Sequence, residues 1–402
     1  MNDPRAIAVH ADPPSALSGL QATVIGAGIG GLAAALALCR RGASVSVLEQ
    51  APEISEVGAG LQISPNGTRV LTALGLDPAA LGDQAEAVEL RDQRGRLVTR
   101  MDLPAVPGFY LCHRADLIAG LAAAARTAGA GVKLLQRVST VELKARAEAL
   151  MRTGARQPAG LLIGADGVHS VLRPVLNGPS RPFFTGQVAW RATIPGSGGP
   201  AVVQVFMGPG RHLVSYPLRG GALRNIVAVE ERRQWAAEGW THADDPTALR
   251  AAFGGFGGSV PDWLASIEQV WLWGLFRHPV ARRWHDGQGR AVILGDAAHA
   301  TLPFLAQGAN MALEDAWVLA EALAARPDAP AEALAGFEAR RKRRCKDIVA
   351  AADRNARAYH LRAPIAPIGH AILRLAGHVA PGLALRRFAW VHEHDVTREA
   401  VP

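Results

Sequence analysis

The feature that most constrains this chain is Gly26-Ala-Gly28-Ile29-Gly30-Gly31, set between an apolar run at Gln21–Ile25 and an Ala/Leu-rich stretch reaching about Arg41. A glycine at 26 permits a tight turn at a strand end. One at 28 lets a pyrophosphate approach the backbone, and one at 31 lets the following helix pack closely on the strand. That helix would point its free N–H groups at the phosphates. A second strand-like run, Ser44–Glu49, ends on an acid 18 residues after Gly31, where a carboxylate accepts from both ribose hydroxyls. Glycines, strand, helix and Glu49 in register predict a dinucleotide-binding βαβ unit. The bland alternative is a tight βα turn with an ordinary surface glutamate.

Two further glycine–acid pairs close short apolar runs: Gly164-Ala-Asp166-Gly167 and Gly295-Asp296-Ala-Ala-His299. Taken alone, Asp166 reads as easily as a turn cap. After Asp296, a loop holding Pro303 leads into Gln307-Gly308-Ala309-Asn310 at a helix start, where backbone amides face an anion. The three motifs fall in order along the chain, about 140 and 130 residues apart.

From Phe183 to Glu231 the texture changes to strand-like runs broken by Gly/Pro turns (187–194, 201–207, 212–218, 224–229), with 271–276 as a last strand. This predicts an antiparallel sheet inserted in an α/β body. The expected division is a loose tail over 1–20; a Rossmann-like domain from 21–182 and 285–330; a β-sheet substrate domain over 183–284; and a C-terminal helical region over 331–402.

Composition narrows the functional classes. Apolar residues are 49% and charged residues 19%, so a packed core is expected. No apolar run reaches 18 residues, so no membrane span is expected. The N-terminus has no signal-peptide pattern, and Cys39, Cys112 and Cys345 have neither metal nor disulfide spacing, so no metal site and a reducing, cytoplasmic setting are expected. The net charge of +8 comes from arginine, densest at Arg340-Arg341-Lys342-Arg343-Arg344. No nucleic-acid-reading motif accompanies that run, so it reads as a solvated helix face or a field for small anions.

The three motifs together, with GAGLQISPN (58–66), HRADL (113–117), GQVAWRATIP (186–195), GRHLVSYPLRGG (210–221) and GDAAHATLPFLAQGAN (295–310), resemble the class A flavoprotein monooxygenases of the para-hydroxybenzoate hydroxylase fold, most of all the salicylate hydroxylase group. The resemblance covers about residues 20–360. It implies FAD bound by Gly26, Gly28, Ile29, Gly30, Gly31, Glu49, Gln50, Leu61, Arg114, Val138, Asp166, Asp296, Gly308, Ala309 and Asn310. Glu49 would take the adenosine ribose and Asp296 the ribityl side. It implies NADH or NADPH as co-substrate, binding without a nucleotide fold of its own. Oxygen would be transferred to a small aromatic acid through a flavin C4a-hydroperoxide, in a monomer or homodimer.

Electrophilic oxygen transfer favours a phenolate over a phenol, so the pocket needs a group that takes the phenol proton. His212 and Tyr216 lie four apart on one expected strand, which places them on one face. Both match polar pocket positions of the resembling enzymes and are the candidate catalytic residues. Gln62, Arg191, Pro303 and Phe304 are the candidate substrate residues. Gln62 and Phe304 stand where hydroxynicotinate-type enzymes tend to carry histidine, which favours a benzenoid ring. In the resembling family the position of His299 is mostly structural, and Trp271, Trp273 and Phe276, expected on one strand face, read as sheet core or pocket wall. The competing functions are an FAD oxidase or dehydrogenase taking hydride directly from substrate, and a nucleic-acid or membrane-surface protein using the Arg-rich helix.

Overall fold

The computed structural model describes residues 16–54, 60–104, 107–232, 242–379 and 383–399. A five-stranded parallel sheet runs in the order 291–293, 161–164, 21–25, 44–48, 131–133. The helix Ile29–Cys39 packs against it, as do strands of the antiparallel sheet 138–143, 147–151, 156–159, whose Val141, Ala147, Ala149 and Ala159 join the same core. The helix Ile29–Cys39 is buried from Gly31 to Leu38. Its alanines let it lie between the sheet and the helices Arg114–Thr127 and Gly308–Ala325.

Because the strands are parallel, their carboxyl ends share one edge. Gly26, Glu49, Asp166 and Asp296 each stand just past such an end. Ligands of open parallel sheets bind at this edge.

The inserted sheet has eight strands, ordered 242–244, 270–277, 183–195, 223–231, 211–218, 202–208, 87–91, 97–102. The last two form the Ala87–Asp102 hairpin, which sequence reading placed with the 21–182 segment. It pairs parallel to Val202–Gly208 instead. One face of the sheet packs Trp190, Phe206, Leu213 and Ala228 on the helices Pro246–Phe253 and Val260–Ala265. The other face turns toward the nucleotide-binding body.

Two expectations need correction. Within the tail expected over 1–20, residues 1–15 lie outside the described residues, but Leu17 is buried and its amide donates to the Arg41 carbonyl at 2.8 Å. The Arg-rich run on the helix Pro330–Tyr359 is not a solvated face. Arg341 is 1% exposed and pairs with Glu314 at 2.5 Å and Asp315 at 2.8 Å. Arg344 pairs with Glu314 at 2.8 Å, and Arg340 with Glu321 at 3.5 Å. The run locks this helix onto Gly308–Ala325, whose inward carboxylates it neutralises. Among the described residues no helix is long and apolar enough to cross a membrane.

Candidate active site

At the sheet edge the glycines do what their spacing requires. Gly26 has φ +100°, and a Cβ there would come within 2.5 Å of the Ala165 carbonyl oxygen. A Cβ at Gly31 would stand 2.0 Å from the Gly26 carbonyl oxygen. Gly28 faces open space, and the helix it precedes has neither a side-chain cap nor an acid in its first turn. The structure thus offers a bare, positively polarised helix end beside room for a phosphate. Ile29 and Gly30 lie in that first turn.

Glu49 accepts from the amides of Ala27 at 2.8 Å and Ala51 at 2.8 Å, one on each oxygen. This fixes the carboxylate beside the glycine turn, while each oxygen retains a lone pair for a hydroxyl. Gln50 is exposed next to it, and Leu61 is half-buried against the main core. Val138, by contrast, is buried in that core at the start of a strand, which leaves its side chain little surface to offer a ligand.

Asp166 accepts from the Val171 amide at 2.7 Å through Oδ2, while its Oδ1 is buried without a partner. Burial raises its carboxyl above the usual range, against the lowering pull of Ser170 and the Val171 amide. Asp296 is exposed, and yet it is so deep within the protein that its carboxyl is raised by burial, with His299 and Arg114 pulling it down. Both properties hold together only on the wall of a deep cleft. An orphaned buried acceptor, an open glycine turn and an accessible interior carboxylate fit a nucleotide with many hydroxyls and a pyrophosphate.

The helix Gly308–Ala325 aims its first N–H groups, those of Gly308, Ala309 and Asn310, out of its end with no intrahelical acceptor. The Asn310 side chain is committed elsewhere. It accepts from the Ser64 amide at 3.0 Å and donates to the carbonyls of Gln62 at 3.1 Å and Ala306 at 2.7 Å. It therefore clamps the strand Gly60–Ile63 against this helix end.

Beneath Asp296, His299 is fully buried and shares a 2.5 Å hydrogen bond with Asp315, whose other oxygen pairs with Arg341. Burial disfavours the imidazolium, but Cys345 and Asp315 outweigh it and hold His299 well above its ordinary value. Asp315 also accepts from the Gly295 amide at 3.0 Å. The ion cluster, His299 included, thus positions the turn that presents Asp296.

On the facing sheet, register places the pocket residues on one surface. Tyr216 pairs across with Asn225 and then Thr193; His212 pairs with Val229 and then Ala189; and Arg191 lies in the row between them, opposite Val227 and Val214. Directly paired residues share a face. Arg191 is two strands, about 10 Å, from the strand holding His212 and Tyr216. His212 meets Phe304 edge-on at 5.2 Å between ring centroids, and Phe304 is held at the Pro303–Leu305 turn by Asn355 donating to its carbonyl at 2.8 Å.

Burial lowers the Arg191 guanidinium to about 10, reinforced by the like charge of Arg114. It stacks 4.2 Å over the Trp273 ring and makes no ion pair among the described residues. Burial raises the Tyr216 phenol, opposed by Arg191 and the Gln62 side chain. A Cβ at Gly60 would meet Tyr216 Cε2 at 2.5 Å, so the glycine makes room for the tyrosine. Gln62, Tyr216, Arg191, Arg114 and Asp296 therefore form a chain of electrostatic neighbours from pocket to cofactor edge. Of the GAGLQISPN loop, residues 58 and 59 lie outside the described residues.

Three participants escaped sequence reading. Asn225 accepts from the Gly60 amide at 2.8 Å and ties the sheet to the loop. His360 lies 2.7 Å from His212, and Glu231 lies beyond it. No local motif marks any of them.

The parallel-sheet edge and its facing pocket define a flavin-nucleotide enzyme of the α/β class. A family model described as "FAD binding domain" matches residues 19–352, and the chain belongs to this family, within the class A flavoprotein monooxygenases. It is 38% identical over 358 residues to the 3-amino-4-hydroxybenzoate 2-monooxygenase of Streptomyces cremeus, covering 85% of this chain and 88% of the relative. It is 32% identical over 415 residues to the salicylate hydroxylase of Pseudomonas putida, covering 94% and 93%. A solved salicylate hydroxylase substrate complex superposes with a TM-score of 0.80 at 25% identity, covering 96% of this chain and 99% of that one.

Proposed function

We propose that this monooxygenase uses NAD(P)H and O₂ to hydroxylate a small phenolic aromatic acid. The observation that carries the reading is the pocket face itself. It holds a half-buried arginine that makes no ion pair among the described residues, a neutral histidine and a tyrosine, all on the sheet face turned toward the nucleotide edge. An unpaired cation is costly to bury. A carboxylate-bearing substrate or an anionic cofactor ring offsets that cost. FAD would supply hydride acceptance and oxygen activation, and Gly28, Glu49, Asp166, Asp296 and the amides of 308–310 would hold it.

The chain's own residues do the rest. Burial, with the neighbouring His360, keeps His212 well below its ordinary pKa, so at neutral pH it is an acceptor. Its Nε2 makes no hydrogen bond among the described residues and is free to take the phenol proton. Tyr216 stays protonated and donates. Phe304 and Trp273 exclude water from the ring. The competing oxidase or dehydrogenase reading lacks such a use for a buried neutral histidine beside a cation.

The test is His212→Ala. FAD content and NADH-driven flavin reduction should stay near wild type, while hydroxylation falls about 10²- to 10⁴-fold, the range for losing a general base. H₂O₂ should take up the lost flux, and raising the pH should restore part of the yield by supplying phenolate from solution. Normal coupling in the variant would show that His212 is structural.

A further inference from the structure

The base proposed above is not isolated. His212 Nδ1 lies 2.7 Å from His360 Nε2, and His360 Nδ1 lies 2.9 Å from Glu231 Oε1. His212 is 1% and His360 5% exposed, while the Glu231 side chain is 42% exposed. The row of rings therefore begins in the pocket and ends in solvent. It joins three elements: the strand Arg211–Leu218, the C-terminal end of the helix Pro330–Tyr359, and the end of the strand Leu223–Glu231.

We infer that His212, His360 and Glu231 form a proton relay that carries the substrate's phenolic proton from the closed pocket to bulk water. This rests on the reading of His212 as the base. The atoms balance. With Nδ1 protonated on both rings, His212 Nε2 takes the phenol proton and its Nδ1 proton moves to His360 Nε2. The His360 Nδ1 proton moves to Glu231 and from there to water. The phenolate keeps the electron pair, no ring keeps a net charge, and return of one proton along the same path resets the tautomers.

A relay suits this environment better than a stored charge. Burial disfavours the imidazolium at His212, and His360 is likewise lowered by burial and by Arg362, opposed by Glu231. A proton left on His212 would be a buried cation with no carboxylate beside it, whereas His360 has Glu231 at 2.9 Å to pass it to. Tyr359 and Phe304 pack on the His212 ring, at 5.2 Å each, and offer no carboxylate. Arg362 pairs with the second Glu231 oxygen at 3.0 Å, and Arg211 and Arg232 are held by Glu230 at 3.0 Å each. Arg362 thus holds the Glu231 carboxylate at the solvent end of the row.

His360 and Glu231 are thus positioning and transfer residues acting through His212. The test uses FAD-loaded full-length protein and 4-hydroxy-3-nitrobenzoate, whose phenolate is coloured. Stopped-flow mixing reads the rate at which the bound probe ionises. Glu231→Gln and His360→Gln should slow ionisation about tenfold or more, enlarge the solvent isotope effect, and leave FAD content and probe affinity near wild type. Added imidazole should restore the rate in His360→Ala.

If His212→Ala is slow but Glu231→Gln and His360→Gln ionise the probe at the wild-type rate, the relay is wrong and the base assignment stands. If His212→Ala also ionises the probe at the wild-type rate, the base assignment fails and the relay with it. Should His360 variants lose FAD, the half-exposed Glu231→Gln decides alone.

Discussion

Replacing Arg341 with leucine removes the centre of the ion cluster that supports the Asp296 turn. The guanidinium is 1% exposed and serves Glu314 and Asp315 together. Breaking a buried pair by deleting one partner costs about 3–5 kcal/mol. Here the lower end applies, because Glu314 retains Arg344 at 2.8 Å and Asn66 at 2.6 Å, and Asp315 retains His299 at 2.5 Å. With an unfolding entropy of about 2.1 cal/mol/K per residue over 402 residues, about 3 kcal/mol lowers the melting midpoint by about 4 °C. Asp315 also fixes the Gly295 amide, so FAD affinity should fall as well. The assays are thermal unfolding by circular dichroism and an equilibrium FAD titration. Arg341→Leu, Glu314→Gln and the double variant form a cycle whose coupling should exceed 1 kcal/mol, about a fivefold effect. A wild-type midpoint in Arg341→Leu, or additive single effects, would refute the cluster as a support.

Asp296→Ala should weaken FAD about 10- to 160-fold in an equilibrium titration, the loss of a charge-assisted hydrogen bond worth about 1.5–3 kcal/mol; unchanged affinity counts against its placement at the cofactor. Gly60→Ala should displace Tyr216, which its Cβ would overlap, raising KM for substrate with little change in FAD content; an unaltered KM would mean that Tyr216 does not face the substrate. Burial opposes ionisation of Glu314 and Asp315, but Arg341, with Arg344 or His299, outweighs it and holds both at about 2, below their ordinary 4.5 and 3.8. Folded values below unfolded ones mean stabilisation that is present above about pH 4.5 and lost as pH falls toward 2. Acid unfolding should therefore steepen in that window, and less so in Glu314→Gln.

The nucleotide edge was legible because its geometry is local. Gly26, Glu49, Asp166 and Asp296 each sit within a few residues of the strand that aims them, and parallel strands bring their carboxyl ends together. The four-residue spacing of His212 and Tyr216 was equally local, and the sheet register keeps it. What escaped reading depends on distant partners. Arg341 looked solvated because its carboxylates lie about 26 residues back on another helix. The Ala87–Arg91 strand bonds to Val202–Phe206 across more than a hundred residues, so nothing nearby assigned it to the inserted sheet. His360 ends a helix and Glu231 ends a strand; only the packing of those two ends beside His212 gives either a role.

The most direct test of the central claim is the fate of oxygen. FAD-loaded protein should oxidise NADH or NADPH faster when a hydroxybenzoate or aminohydroxybenzoate is present. Under ¹⁸O₂ its product should gain one labelled oxygen by mass spectrometry, with the other atom in water. An aromatic product without label, or turnover that yields only H₂O₂ across the whole panel, would contradict a hydroxylase and return the chain to the oxidase or dehydrogenase class.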